Sequence, residues 1–122
     1  MGTLAQILIG LIALEHLYFL WMEMFAWETA GKKAFNDLLL DELFKPTKSL
    51  AANQGLYNGF LAAGLLWTFF ITDETWKCYI SIFFLGCVTV AGIYGGITAS
   101  KKILIAQALP AIIAIILVLL AK

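Results

Sequence analysis

Residues 3–27 read TLAQILIGLIALEHLYFLWMEMFAW, and how that stretch is read decides the fold. It is long enough, at about 20 or more apolar positions, to match the roughly 30 Å hydrocarbon core of a bilayer. Glu15 and His16 interrupt its middle, and Glu23 stands near its end. A cleavable signal peptide does not fit: the stretch is too long, lacks a Lys or Arg n-region, and carries that ionisable pair. Ionisable groups inside a membrane span are costly and are therefore functional suspects by default.

Working outward, three more apolar segments follow at about residues 49–71, 75–98 and 103–121. The expectation is an all-α, four-span transmembrane bundle. Its consecutive helices run antiparallel, since the connections at 71–77 and 100–102 are short. Composition agrees: 62% hydrophobic, 13% charged and a mean hydropathy of +0.92, against about 25% charged in a soluble domain. One integral membrane domain over 1–122 is the natural count.

The longest connection, ETAGKKAFNDLLLDELFKPTK at 28–48, sets Phe35, Leu38, Leu39 and Leu43 at helical spacing opposite Asn36, Asp37, Asp41 and Glu42. That pattern predicts a short amphipathic helix lying in the membrane interface, with a plain surface loop as the alternative. Pro46 should stop it, and Thr47 or Ser49 should cap the second span.

All eight cationic residues are lysines and there is no arginine. That excludes a basic nucleic-acid face and removes the usual bidentate phosphate clamp. Lys32, Lys33, Lys45, Lys48, Lys101 and Lys102 fall in the first and third loops, whereas Lys77 and Lys122 fall on the other side. By the positive-inside rule, loops 28–48 and 99–102 are cytoplasmic and both termini lie outside, in a multi-pass protein of the cell membrane. Trp21, Trp27, Trp67 and Trp76 fit aromatic belts.

Depth follows from about 1.5 Å per helical residue. Counted from Trp27, Glu23 sits about 6 Å inside and His16 about 16 Å inside. Asn53 and Gln54 enter from the same side at the level of Glu23, with Tyr57 and Asn58 deeper, nearer His16. Gln107 enters from the third loop, with Tyr94 approaching it. The outer halves of the spans are nearly devoid of polar side chains, so the pattern describes a polar cup open to the cytoplasmic side. His16 and Glu23, about two turns apart, share a helix face; Glu15 points elsewhere, and Asn58, Gln54 or Tyr57 are better placed to meet it than the adjacent His16.

The candidate binding residues are thus Glu15, His16, Glu23, Asn53, Gln54, Tyr57, Asn58, Tyr94 and Gln107. Each has a plainer reading. Intramembrane Asn and Gln often serve as interhelical glue worth about 0.6 kcal/mol, and Glu23 is close enough to the interface to snorkel. No metal is expected, because one histidine and two glutamates on a single helix make a poor ligand set. No cofactor is expected either, and no nucleophile or phosphate-loop motif is present. Cys78 and Cys87, nine residues apart along one helix, are too far apart to bridge. Gly55-x-x-x-Gly59 and Gly92-x-x-x-Gly96 permit close helix approach, and they are expected to pack the second and third helices, with a dimer contact as the alternative. Pro110 should kink the last span.

Two stretches, Glu15-His-Leu-Tyr-Phe-Leu-Trp-Met-Glu-Met-Phe25 and Leu50-Ala-Ala-Asn-Gln-Gly-Leu-Tyr-Asn-Gly-Phe-Leu-Ala-Ala-Gly64, together with Gly92-Ile-Tyr-Gly-Gly96, carry a likeness to a known family. Over nearly its whole length the chain resembles the small bacterial integral membrane proteins of domain-of-unknown-function family 1304. The resemblance implies a four-span bacterial membrane protein and assigns no activity, substrate or site residue.

Three functions compete on these residues. The first is binding or transport of a small molecule or lipid from the cytoplasmic side, with a homodimer as candidate assembly. The second is a membrane-embedded isomerase or acid/base enzyme acting on a lipid or quinone, using His16 or Glu15. The third is a structural or accessory membrane protein whose polar groups lock the bundle.

Overall fold

Helices account for nearly all regular structure in the computed structural model, which describes residues 1–121; among these residues there is no strand. Lys122, counted above on the outer side, lies outside the described residues. The chain runs α1 (Thr3–Phe25), a π-helical turn (Trp27–Gly31), α2 (Lys32–Phe35), a 3-10 turn (Asp41–Leu43), α3 (Lys48–Trp67) with a 3-10 extension (Thr68–Phe70), α4 (Glu74–Thr98) and α5 (Lys101–Leu120). The all-α expectation holds.

Among the described residues three helices are long and apolar enough to cross a membrane: α1 with 23 residues, α4 with 25 and α5 with 20. The expected second span forms as α3 but falls short of that standard. The reason is chemical: Lys48, Asn53, Gln54 and Asn58 put strongly polar side chains on a 20-residue helix. Three spans, not four, are therefore apolar enough by composition.

The connection after α1 differs from the single amphipathic helix expected there. Helical backbone continues through Trp27–Gly31 into Lys32–Phe35 and then stops, and Leu40 is extended at φ −64°, ψ 145° before the turn Asp41–Leu43. Asn36 and Asp37, whose short polar side chains compete for backbone groups, sit where the helix ends. Pro46 is thus not the stop. The Thr47 hydroxyl does not act as the expected cap but donates back to the Leu43 carbonyl at 2.6 Å.

Other ends follow their residues. The Asp73 side chain accepts the Trp76 amide at 3.0 Å to start α4, and Ser100 accepts the Lys102 amide at 3.2 Å to start α5. Such caps satisfy amides that have no partner within the helix. Pro110 lacks the amide that would bond Ala106. Rather than a bare kink, α5 has a π-helical turn over Leu104–Ala108 just before it, one of the recognised causes of helix bending.

The chain forms two compact units. One comprises Met1–Leu14 and everything from Leu61 on; the other is Glu15–Phe60. In the first, buried residues recur every three or four positions: Ala5, Ile9 and Ile12 on α1, Cys78, Ser81, Leu85 and Val88 on α4, and Ala111, Ala114 and Val118 on α5, with Leu65 from α3. Many are small, which lets helices approach where lipid offers no hydrophobic drive for association. Gly92 packs so closely on α5 that an added Cβ would lie 2.5 Å from the Ala108 amide nitrogen. Gly95 and Gly96 pack on Ile103 and Leu104. The Gly92–Gly96 motif thus joins α4 to α5, not the second helix to the third. Large apolar side chains such as Leu4, Phe83 and Ile97 point outward, as expected of helices whose solvent is lipid.

In the second unit, the Gly55–Gly59 motif lies against α1. A Cβ at Gly55 would be 3.0 Å from Glu23 Cβ and 3.1 Å from the Leu20 carbonyl oxygen, and one at Gly59 would meet the Leu20 side chain. This motif joins α1 to α3. Beyond it, Trp27 packs on Phe35 (5.6 Å between ring centroids) and on Phe44 (5.1 Å), and Phe44 is fully buried. Gly31 lies directly under the indole, where a Cβ would sit 2.6 Å from Trp27 Cε3.

Candidate functional site

Glu23 lies on the α1 face that meets α3, and the close approach at Gly55 brings the two backbones near enough for their polar side chains to touch. Asn58 Nδ2 donates to Glu23 Oε1 at 2.5 Å. Held this way, the Glu23 carboxyl and the Asn58 amide tie α1 to α3. The expected depth register is off by about one turn. Asn58 meets Glu23 rather than lying level with His16, because helical backbone runs on past Trp27 to Phe35 before the chain turns back.

Glu23 also opens onto a cavity of about 370 Å³. Trp27 and Thr47 form one part of its wall, Phe35, Leu38 and Leu39 another, and Leu50, Ala51 and Gln54 of α3 the rest. That size lies within the range of small-molecule sites, and an apolar lining with a few polar groups is their usual character. The wall's polar atoms are mostly committed. Trp27 Nε1 donates to Thr47 Oγ1 at 3.0 Å, and Thr47 in turn donates to the Leu43 carbonyl. Near the cavity, Lys48 pairs with Glu28 at 3.8 Å, and Lys32 Nζ lies 5.9 Å above the Phe44 ring.

About two turns along α1, His16 is fully buried and Glu15 partly so, with His16 Nδ1 3.9 Å from Glu15 Oε1. The side chains of these adjacent residues therefore do converge, contrary to the expectation from helix geometry. His16 also packs edge-on against Phe19, 5.3 Å between ring centroids.

The nine sequence candidates divide accordingly. Glu23 and Gln54 line the cavity, Asn58 bonds Glu23, and Glu15 and His16 lie together farther along α1, His16 buried and Glu15 partly so. Asn53 and Tyr57 share α3 but are exposed. Tyr94 and Gln107 belong to the other compact unit, Tyr94 exposed and Gln107 half-buried within the π-helical turn of α5. The sequence reading passed over Trp27, Thr47 and Phe44. Their signal was faint: a tryptophan assigned to an interfacial belt, a threonine assigned to a cap and a phenylalanine in a loop. Among the described residues no group of three or more His, Cys, Asp or Glu side chains is placed to hold a metal ion.

Comparison with known proteins gives two matches. Residues 10–119 match the family described as protein of unknown function (DUF1304). The chain is 32% identical over 117 residues to a curated relative, the uncharacterized protein YpaA of Lactococcus lactis subsp. lactis (strain IL1403), covering 95% of this chain and 97% of the relative. No solved structure matches. With nearly its whole length matched, and with the glutamate-histidine, asparagine-glutamine and glycine stretches in the matched region, the chain belongs to the DUF1304 family.

Proposed function

We propose that this is a multi-pass membrane protein that binds, and in the cell moves, a small molecule or lipid taken from the cytoplasmic side. α3 serves as a fourth span, with both termini outside. The cavity bounded by Glu23, Trp27 and Gln54 carries the reading. A glutamate from one helix and a carboxamide from its neighbour, set beside a largely apolar cavity, are better suited to a ligand than to packing alone. Lysine placement supports the orientation, since Lys32, Lys33, Lys45 and Lys48 all lie on the connection that walls the cavity.

Thermal unfolding of detergent-purified protein against a panel of metabolites, lipids and quinones tests it. A ligand that binds only the folded state raises the melting temperature. The expected result is a shift in wild type that is lost in Leu39→Trp, which fills the cavity. Absence of any shift across the panel would move the protein to a structural role.

A second reading draws on the Glu15–His16 contact at 3.9 Å. A carboxyl and an imidazole at mid-depth suit proton transfer in an isomerase or other acid/base enzyme on a lipid or quinone. Unchanged lipid and quinone profiles on deletion and overexpression would remove it.

A further inference from the structure

We infer that the cavity takes an ammonium-headed amphiphile: a primary amine seated on Glu23, with its apolar tail along Phe35, Leu38, Leu39 and Leu50. The inference rests on the cavity being a binding site and names what it selects. Its basis is an inventory of the wall. The indole N–H of Trp27 is spent on Thr47, the Thr47 hydroxyl on the Leu43 carbonyl, and the Asn58 amide on Glu23 Oε1. Among the described residues lining the cavity there is no lysine, and the nearby Lys48 and Lys32 are engaged with Glu28 and the Phe44 ring. What the lining residues retain is acceptor-rich: the second carboxyl oxygen of Glu23, and the Gln54 carboxamide, which offers both an oxygen and an N–H.

An anionic headgroup entering there would meet a carboxylate with no cation to offset it. A cationic donor would complete the carboxylate that Asn58 already holds in place. Asn58 is thus a positioning residue, since it aims Glu23 without needing to touch the amine. The shared chemistry is a primary ammonium, from either a free alkylamine or an ethanolamine lipid headgroup.

The test compares hexylamine, hexanol and hexanoate, which share tail length and differ in head, together with phosphatidylethanolamine and phosphatidylglycerol. Binding is read as melting shift and as affinity for wild type, Glu23→Gln, Gln54→Glu and Leu39→Trp. Hexylamine should bind wild type about tenfold or more tightly than hexanol or hexanoate, because a bond to a charged group is worth about 1.5–3 kcal/mol. Glu23→Gln should erase that preference while leaving hexanol unchanged. Gln54→Glu, at an exposed position, should strengthen it. A preference for phosphatidylethanolamine over phosphatidylglycerol would assign the ammonium to lipid, and its absence beside a hexylamine preference would assign it to a free amine. Equal binding of the three hexyl probes, abolished by Leu39→Trp, would overturn the inference and leave the binding site standing. Equal binding unaffected by Leu39→Trp, or no binding at all, would overturn both.

Discussion

At the scale of single residues, the bond from Asn58 to Glu23 is the most consequential contact. It joins α1 to α3 and aims a carboxylate at the cavity wall. Intramembrane polar bonds average about 0.6 kcal/mol and reach about 1.7, and the charge on Glu23 should put this one toward the top of that range. A double-mutant cycle with Asn58→Ala and Glu23→Gln, read by reversible unfolding in detergent, should therefore show a coupling of about 1 kcal/mol or more. Additive effects would mean that the two side chains do not share a bond in solution. Gly31 makes a second case. Its Cβ-free surface accepts the Trp27 ring at a distance no side chain tolerates, so Gly31→Ala should displace the indole from Thr47. The check is Trp27 fluorescence in a background whose other tryptophans are phenylalanine. An unchanged emission maximum would count against the packing described.

Among elements, α4 meets the π-helical turn of α5 with backbone close at hand. A side chain at Gly92 meets the backbone nitrogen of Ala108, which cannot swing aside as a side-chain tip can. Overpacking of this kind costs about 1–3 kcal/mol, so Gly92→Ala should destabilise by that order. Gly86, on the same helix, has nothing within 4 Å of an added Cβ. There Gly86→Ala should stabilise by about 0.5–1 kcal/mol through the usual helical penalty of glycine. Thermal unfolding of the two variants side by side checks both, and a shift of the same sign in each would refute the contrast. Pro110 explains why the turn occurs where it does. By removing one i→i−4 bond it makes a wider register locally acceptable, and the wider turn offers Gly92 a backbone surface to pack on.

For the whole molecule, the proposed four-span arrangement has a direct readout. In a variant with Cys78 and Cys87 replaced by alanine, single cysteines at Asp37 and Asp73 should be labelled by an impermeant thiol reagent from opposite sides of the membrane. Asp37 should react from the cytoplasmic side, because the lysines cluster on its connection. Labelling from the same side would mean that α3 does not cross. This is also the scale at which apolar runs mislead. α1, α4 and α5 declare themselves by composition, while α3 carries its polar residues in the half that belongs to the compact unit Glu15–Phe60 and so hides among them.

Much of the fold was legible because lipid imposes its demands locally. A helix in hydrocarbon must satisfy every backbone group within itself, so long apolar runs and the position of Pro110 could be read from the chain one segment at a time, whereas the Asp73 and Ser100 caps emerged only in the structure. Glu15, His16 and Glu23 stood out as candidates for the same reason: an ionisable residue in an apolar run contrasts with its neighbours. Partners were not legible. Which helix the Gly55–Gly59 motif would face, the one-turn shift that pairs Asn58 with Glu23, and the gathering of Trp27 and Thr47 into a cavity wall all depend on where the connection 28–48 ends its helix and folds back. That ending is a balance between local propensity at Asn36–Asp37 and the packing of Trp27 over Gly31 and Phe44. The sequence by itself determined an all-α chain with helices long and apolar enough to cross a membrane, and singled out candidate polar residues within it. Only the tertiary structure decided which of them meet, because distances between helices are set by close packing across the chain and not by any local period.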